Sequence, residues 1–194
     1  MTDQELLTRA KELQKEAMRV IQSLDVLDII RKISESEIVG SAKSGLIVTP
    51  DIDIHCFMKD TDLERVAALL PVFAKMPTIQ KVQFNNYMEL RRDHRKDRIN
   101  FPHGYYVGLR SIEPSGEWKI DMWFGGKENL GDFDERELDT ITDEQRLAIL
   151  RLKNEWRAEK AYKDGVISTD FYKAVLRGDI KNADEFKKYL KASK

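Results

Sequence analysis

Residues 51–57, D-I-D-I-H-C-F, alternate strictly between polar and apolar side chains. Successive side chains of a β-strand point to opposite faces of the sheet, so this pattern predicts a strand with one buried and one polar face. Asp51, Asp53 and His55 would share the polar face. Two carboxylates side by side on an apolar strand repel each other, which indicates a bound cation or a water-filled cleft in front of them.

A second strand with the same alternation is predicted over 118–124, W-K-I-D-M-W-F, with Asp121 on its polar face. If the two strands are neighbours, three carboxylates lie within a few ångströms of one another, close enough to share two Mg²⁺ ions. A bare D-x-D would by itself favour a solvated strand face. The turn at Gly40-Ser41 favours a functional site, because glycine lets backbone N–H groups approach a phosphate and a hydroxyl adds a donor.

These features together resemble a known family. Gly40-Ser41, a spacer of nine residues (42–50) and the run D-I-D-I at 51–54 are similar to the signature of the DNA polymerase beta-like nucleotidyltransferase superfamily. Asp121, within K-I-D-M-W-F, matches the third acid of that family. The resemblance covers about residues 36–125.

The resemblance implies an α/β (α+β) fold, in which a small mixed sheet is backed by helices. It also implies a transferase that moves a nucleoside monophosphate from ATP or another NTP to a hydroxyl acceptor. Asp51, Asp53 and Asp121 would be the catalytic acids and would bind two Mg²⁺ ions. Gly40 and Ser41 would grip the β- and γ-phosphates.

Four further polar residues lie near these motifs. Lys43 and Ser44 follow the turn, where they could meet the triphosphate or stand in an exposed loop. Lys119 and Trp123 flank Asp121 on its own face, and Trp123 could stack on a base or pack under the C-terminal helices.

Four other polar positions are less informative. His55 could touch substrate, although a structural role is the simpler interpretation, and the sequence does not settle whether Arg110 faces the cleft. His94 and His103 lack the spacing of zinc ligands.

The N-terminal part of the chain predicts helices and strands in alternation. Residues 2–33 predict one long amphipathic helix that opens with a capping box of Thr2 and Glu5. A second box, Thr61 and Glu64, predicts a helix to about residue 74 with an irregularity at Pro71. Strands are predicted over 79–88, 105–109 and 118–124, the last two antiparallel and joined by E-P-S-G.

Beyond Gly131 the sequence predicts helices only. Thr142 and Gln145 would cap a helix to about Lys163, ended by Asp164-Gly165, and shorter helices follow over 169–176 and 183–190, the latter capped by Asn182 with Glu185. We therefore expect a nucleotidyltransferase core over 1–135 and a helical C-terminal subdomain over 136–194.

Charge and composition bear on partners and location. Lys and Arg total 33 against 34 Asp and Glu, so no global field attracts nucleic acid or membrane. The run 91–98 contains Arg91, Arg92, Arg95, Lys96 and Arg98, but acids interrupt it, so nucleic-acid binding is possible and not favoured. The single Cys56 is expected to be a buried thiol. With neither a signal peptide nor an apolar span visible, a cytoplasmic protein without a membrane partner is expected.

The acceptor and the oligomeric state cannot be read from the sequence. A short, nearly neutral chain argues against a processive polymerase, so a small-molecule acceptor is preferred, as in antibiotic-modifying members of the family. Three alternatives stay open: modification of a protein or a tRNA, the nucleotidyltransferase half of a toxin–antitoxin pair, and a non-catalytic nucleotide-binding module.

Overall fold

The computed structural model describes residues 1–89, 91, 93–94, 102–130, 135–158 and 166–192. Over these residues five strands form one mixed sheet in the order β1-β2-β5-β4-β3, backed by helices, which confirms the predicted fold class. The strands are β1 Glu35–Val39, β2 Asp51–Phe57, β3 Ile79–Asn86, β4 Tyr105–Glu113 and β5 Gly116–Gly125. The helices are α1 Asp3–Ser23, α2 Val26–Ile30, α3 Gly40–Ser44, α4 Leu63–Ala67, α5 Leu70–Ala74, α6 Asp143–Ala158, α7 Ser168–Gly178 and α8 Ala183–Ala192, with 3₁₀ segments at Lys127–Asn129 and Glu135–Thr140.

The pairing of β2 with β5 is the parallel step in the sheet, and it sets the position of the acids. Asp53 lies opposite Asp121 in this pairing. The strands β4 and β5 are antiparallel, as predicted, and their hairpin closes with Glu113 opposite Gly116. The φ of +116° at Gly116 is a backbone conformation that glycine adopts readily.

One face of the sheet is packed and the other is polar. Ile52, Ile54, Ile120 and Met122 are fully buried in a cluster that also contains side chains of α1, α2, α4 and α5. The cluster includes Cys56, which is a buried free thiol as predicted. The strict alternation of β2 and β5 therefore leaves their acids on the opposite face.

The single long N-terminal helix predicted over 2–33 is wrong, although the capping box of Thr2 and Glu5 that opens α1 is confirmed. The chain turns at Asp25, whose φ of 49° lies in the left-handed region, and α2 then begins at Val26. Asp is among the few residues that tolerate this conformation. The turn lets Val26 and Ile30 bury fully, and because apolar spacing continues across it, periodicity alone did not reveal the break.

The second predicted helix is also two helices, and its cap is a different residue. Asp62 accepts hydrogen bonds from the backbone N–H groups of Glu64 and Arg65, whereas Thr61 was predicted to do so. The carboxylate of Asp62 is short enough to reach the first free N–H groups. Pro71 lies in the first turn of α5, where a missing N–H costs nothing.

The C-terminal helices begin as predicted. Thr142 and Gln145 exchange the two hydrogen bonds of a capping box, and Asn182 accepts from the backbone N–H of Glu185 at the start of α8. The predicted end of the first of these helices, at 163–165, lies outside the described residues.

Helices α6, α7 and α8 share a second apolar cluster. Ala10, Leu46 and Val48 of the N-terminal part join it. The division into two domains at residue 135 therefore stays a prediction. No helix in the described part of the chain is both long enough and apolar enough to cross a membrane.

Candidate active site

Three carboxylates meet on the polar face of the sheet, where β2 and β5 run in parallel. Oxygens of Asp51, Asp53 and Asp121 lie within 4.8 Å of one another. Asp51 and Asp53 are two residues apart on β2, and the register of the strands places Asp121 beside Asp53. The sheet brings the three predicted acids together without any contribution from a loop.

The ammonium group of Lys119 lies among these acids. Its Nζ contacts Asp121 Oδ2 and lies 3.5 Å from Asp51 Oδ1, which accepts no hydrogen bond among the described residues. Burial lowers the pKa of Lys119, but the charges of Asp51 and Asp121 outweigh it and raise that pKa overall. One ammonium group cannot balance three carboxylates.

Burial and the neighbouring acids disfavour the ionised forms of Asp51 and Asp53. Burial raises the pKa of Asp53 to about 8, and the nearby charges of Asp51 and Asp121 add to the shift. Burial also raises the pKa of Asp51, against the opposing effect of Lys119. A cation placed beside these two groups would favour their ionised forms.

The arrangement fits a divalent cation. Carboxylate oxygens are the ligands that Mg²⁺ prefers, and the buried Asp51 Oδ1 is available to coordinate one. Asp51, Asp53 and Asp121 would supply the ligands. The ammonium group of Lys119 would have to move away, because it lies where a cation would bind.

The predicted Gly-Ser turn is the start of the five-residue helix α3. Gly40 has a φ of +67°, and a Cβ atom at this position would lie 3.2 Å from Asp53 Oδ2. Glycine therefore meets two demands here, a left-handed backbone and a close approach to the acids. Its backbone N–H faces the same part of the structure and donates to Glu135 Oε1 at 2.6 Å.

Glu135 is a site residue that the sequence analysis missed. Its carboxylate accepts from Gly40 N and lies 3.8 Å from Lys43 Nζ, and burial raises its pKa. Ninety-five positions separate Glu135 from Gly40, and Glu135 belongs to no motif, so the sequence held no signal for the contact. The Glu135 carboxylate thus accepts a hydrogen bond from the backbone N–H of Gly40, which the sequence analysis assigned to phosphate binding.

The other residues predicted around the turn differ in position. Ser41 is buried in the first turn of α3, and Lys43 is exposed beside Glu135. The hydroxyl of Ser44 donates to Gly40 O at 2.9 Å within the helix.

Lys153, a second residue that was missed, is a buried cation from helix α6. It is 2% exposed and donates from Nζ to Leu46 O at 2.8 Å, near the start of the segment that links α3 to β2. Burial lowers the pKa of Lys153 to about 8, and the charges of Asp53 and Asp51 oppose that shift. A signal existed in the sequence, because Lys153 falls at a helical spacing between buried Ile149 and Trp156.

Tyr106 of β4 is a third residue that the sequence analysis missed. Its hydroxyl donates to Asp121 Oδ1 at 2.8 Å. Trp123 packs on Tyr106 with ring centroids 5.0 Å apart and stacks on Tyr87 at 5.7 Å. Trp123 thus lies within an aromatic group beside the third acid.

The remaining candidates lie at the edges of the site. Burial lowers the pKa of His55 to about 4, which leaves a neutral ring edge-on to Phe57. Arg110 faces the same side of the sheet as Lys119 and forms an ion pair with Glu117 at 3.5 Å. Most of the basic run at 91–98 lies outside the described residues.

The sequence matches no protein-family model and no curated protein. Among solved structures, the chain is similar to one of the non-canonical poly(A) polymerase complex GLD-2–GLD-3, with a TM-score of 0.52 and 10% identity over 78% of this chain. It is also similar to a structure of the GLD-2/RNP-8 complex, with a TM-score of 0.55 and 10% identity over 90% of this chain.

The chain shares its fold with these two solved structures. That result confirms the fold implied by the Gly-Ser and D-x-D motifs. At this level of identity the likeness concerns the fold alone. The chain spans 49% and 65% of the length of the two solved chains, so it matches only part of each.

Proposed function

We propose that the protein is a Mg²⁺-dependent nucleotidyltransferase that transfers a nucleoside monophosphate from an NTP to a hydroxyl acceptor. The observation that carries the proposal is the group of three carboxylates within 4.8 Å on paired parallel strands of this fold. Three acids this close favour a divalent cation among them, and Mg²⁺ would supply that positive charge.

Each part of the site has a separate task in this reaction. Asp51, Asp53 and Asp121 would hold two Mg²⁺ ions, which neutralise charge on the triphosphate and lower the pKa of the acceptor hydroxyl. The acceptor oxygen bonds to the α-phosphorus, the bond from that phosphorus to the bridging oxygen breaks, and pyrophosphate leaves. The hydroxyl proton passes to water. The protein contributes mainly position and charge.

The triphosphate would bind at the start of α3. The N–H of Gly40, the hydroxyl of Ser41 and the ammonium group of Lys43 are the donors there, with Ser44 next along the helix. Binding requires the Glu135 carboxylate to leave Gly40, because a phosphate oxygen and the carboxylate oxygen cannot both accept from the backbone N–H of Gly40. Lys153, behind the linking segment, adds buried positive charge near the acids.

For the acceptor, we propose a small molecule with a free hydroxyl group. The support is the nearly neutral net charge of −1, which gives the protein no overall attraction for a polyanionic template.

The test is calorimetric titration of non-hydrolysable analogues of the four NTPs with Mg²⁺, repeated with EDTA. Asp53→Asn keeps the shape of the side chain and removes its charge, so we expect metal-dependent binding to weaken by more than about 100-fold. Asp60→Asn is the matched control, since Asp60 is exposed after β2. Equal binding by Asp53→Asn and the parent would contradict the assignment.

A further inference from the structure

The third acid is held from two sides. Tyr106 donates to Oδ1 of Asp121, while Lys119 contacts Oδ2. Only one oxygen, Oδ2, therefore faces the ammonium group that also lies near Asp51. The hydrogen bond from Tyr106 fixes which oxygen of Asp121 is turned towards the other acids.

Tyr106 does not lie directly across from the acid that it contacts. In the antiparallel pairing of β4 with β5, Trp123 is opposite Tyr106, and Gly108 is opposite Asp121. The tyrosine side chain therefore crosses the sheet diagonally to reach its partner, a separation within reach of long aromatic side chains.

Gly108 makes this diagonal path possible. A Cβ atom at this position would lie 2.3 Å from the Tyr106 hydroxyl oxygen and 2.7 Å from the ring carbon that bears it. Real Cβ contacts are never this short, so any other residue at 108 would move the ring. Glycine inside a strand weakens it and often marks a close approach. Here the group that approaches is the side chain that holds the third acid.

Trp123 also packs on the tyrosine ring. Its ring centroid lies 5.0 Å from that of Tyr106, with the planes tilted by 53°. The ring of Tyr106 thus has two close neighbours, the backbone of Gly108 and the indole of Trp123. This packing restricts the rotation of Tyr106 and keeps its hydroxyl at Asp121.

Resting on the proposed function, we propose that Tyr106 is a positioning residue for the third acid and that Gly108 provides the space it needs. The Tyr106 hydroxyl donates to Oδ1 of Asp121, which leaves Oδ2 of the same carboxylate to coordinate the cation. Lys119 must yield its contact when a cation binds, whereas Tyr106 can keep its own. Groups that hydrogen-bond a metal-ligating carboxylate typically change metal affinity by about 10- to 100-fold.

The test measures Mn²⁺ binding by electron paramagnetic resonance, with a non-hydrolysable NTP analogue present, in four proteins: the parent, Tyr106→Phe, Gly108→Ala and the double variant. We expect Tyr106→Phe to weaken Mn²⁺ binding by about tenfold while the melting temperature changes little. Gly108→Ala should produce the same loss, because it displaces an unchanged Tyr106. The double variant should be no worse than either single one, since both remove the same hydrogen bond.

Tyr189→Phe in α8 is the matched control and should bind Mn²⁺ as the parent does. Parent-like Mn²⁺ affinity in Tyr106→Phe would overturn the inference, as would losses that multiply in the double variant. If Gly108→Ala fails to fold, Tyr106→Phe alone decides the matter. Failure of the parent to bind Mn²⁺ would contradict the proposed function itself, so the two failures are distinguishable.

Discussion

The cation side and the anion side of the site are built differently. On the cation side, two paired strands set the positions of three acids, and the Lys119 ammonium group leaves negative charge in excess. On the anion side, Glu135 meets Gly40 through one hydrogen bond and Lys43 through a 3.8 Å ion pair. The cation side therefore favours a cation that displaces the proton of Asp53, whereas on the anion side the Glu135 carboxylate must leave Gly40 before a phosphate binds there.

The largest expected effect concerns protons on the cation side. Because the pKa of Asp53 is raised to about 8, this group carries a proton at lower pH, and a cation must displace that proton. Affinity for Mn²⁺ should therefore rise between pH 6 and pH 8, approaching about tenfold per pH unit, and level off above. Titrations without nucleotide measure it, with Asp53→Asn as the reference that lacks the proton. Constant affinity across this range would show that Asp53 is already ionised.

The two sides meet at Gly40, and Gly40→Ala should damage both. The added methyl group strains a φ of +67° and presses on Asp53, so we expect binding of Mg²⁺ with an NTP analogue to fall by about tenfold or more. Gly45→Ala is the matched control, because Gly45 has a φ of +72° and its added methyl would approach Gln14 instead.

Both glycine variants should lose about 1–2 kcal/mol of unfolding free energy. Calorimetry and chemical denaturation separate the two effects. Equal loss of nucleotide binding in both variants would mean that strain alone, and not the approach to Asp53, explains the result.

A smaller effect is expected when the internal cation is removed. Lys119→Met keeps much of the side-chain volume and takes away the ammonium group that competes for Asp51 and Asp121. Mn²⁺ without nucleotide should bind about three- to tenfold more tightly at pH 8. Lys81→Met, on the exposed part of β3, is the control. Weaker binding in Lys119→Met would show that the lysine organises the acids instead of competing for them.

The smallest effect tests the anion side. Glu135→Gln can still accept from Gly40 through its amide oxygen but no longer repels an anion, so affinity for pyrophosphate should rise by about two- to fivefold. Glu137→Gln, in the same 3₁₀ segment but paired with Arg177, should leave it unchanged. Calorimetric titration of pyrophosphate measures both, and unchanged affinity in Glu135→Gln would mean that the carboxylate does not obstruct the site.

Much of the cation side could be predicted from the sequence because its information is local. The alternation of polar and apolar residues predicted the buried and polar faces of β2 and β5. Asp51 and Asp53 had to share the polar face because they are two residues apart. The adjacency of the strands came from the resemblance, and the register that sets Asp53 beside Asp121 came from the structure. The helical break at Asp25 was missed because apolar spacing continues through it, and the break before α5 was predicted only as an irregularity at Pro71.

The missed site residues depend on long-range or diagonal contacts. Glu135 reaches Gly40 from a distant segment without a motif, and Tyr106 meets Asp121 off the register of β4. Both contacts need three-dimensional placement before chemistry can be assigned. Lys153 is the exception, since a charged residue at a buried helical spacing could have been noticed in the sequence.

If the proposed function is right, the three acids bind divalent metal together with an NTP. Anomalous diffraction from crystals grown with Mn²⁺ and a non-hydrolysable NTP analogue would locate both ligands. We expect Mn²⁺ peaks bounded by Asp51, Asp53 and Asp121, with Lys119 withdrawn and Glu135 displaced from Gly40 by a phosphate. Nucleotide bound elsewhere, with no Mn²⁺ among the acids and Lys119 still between them, would contradict it.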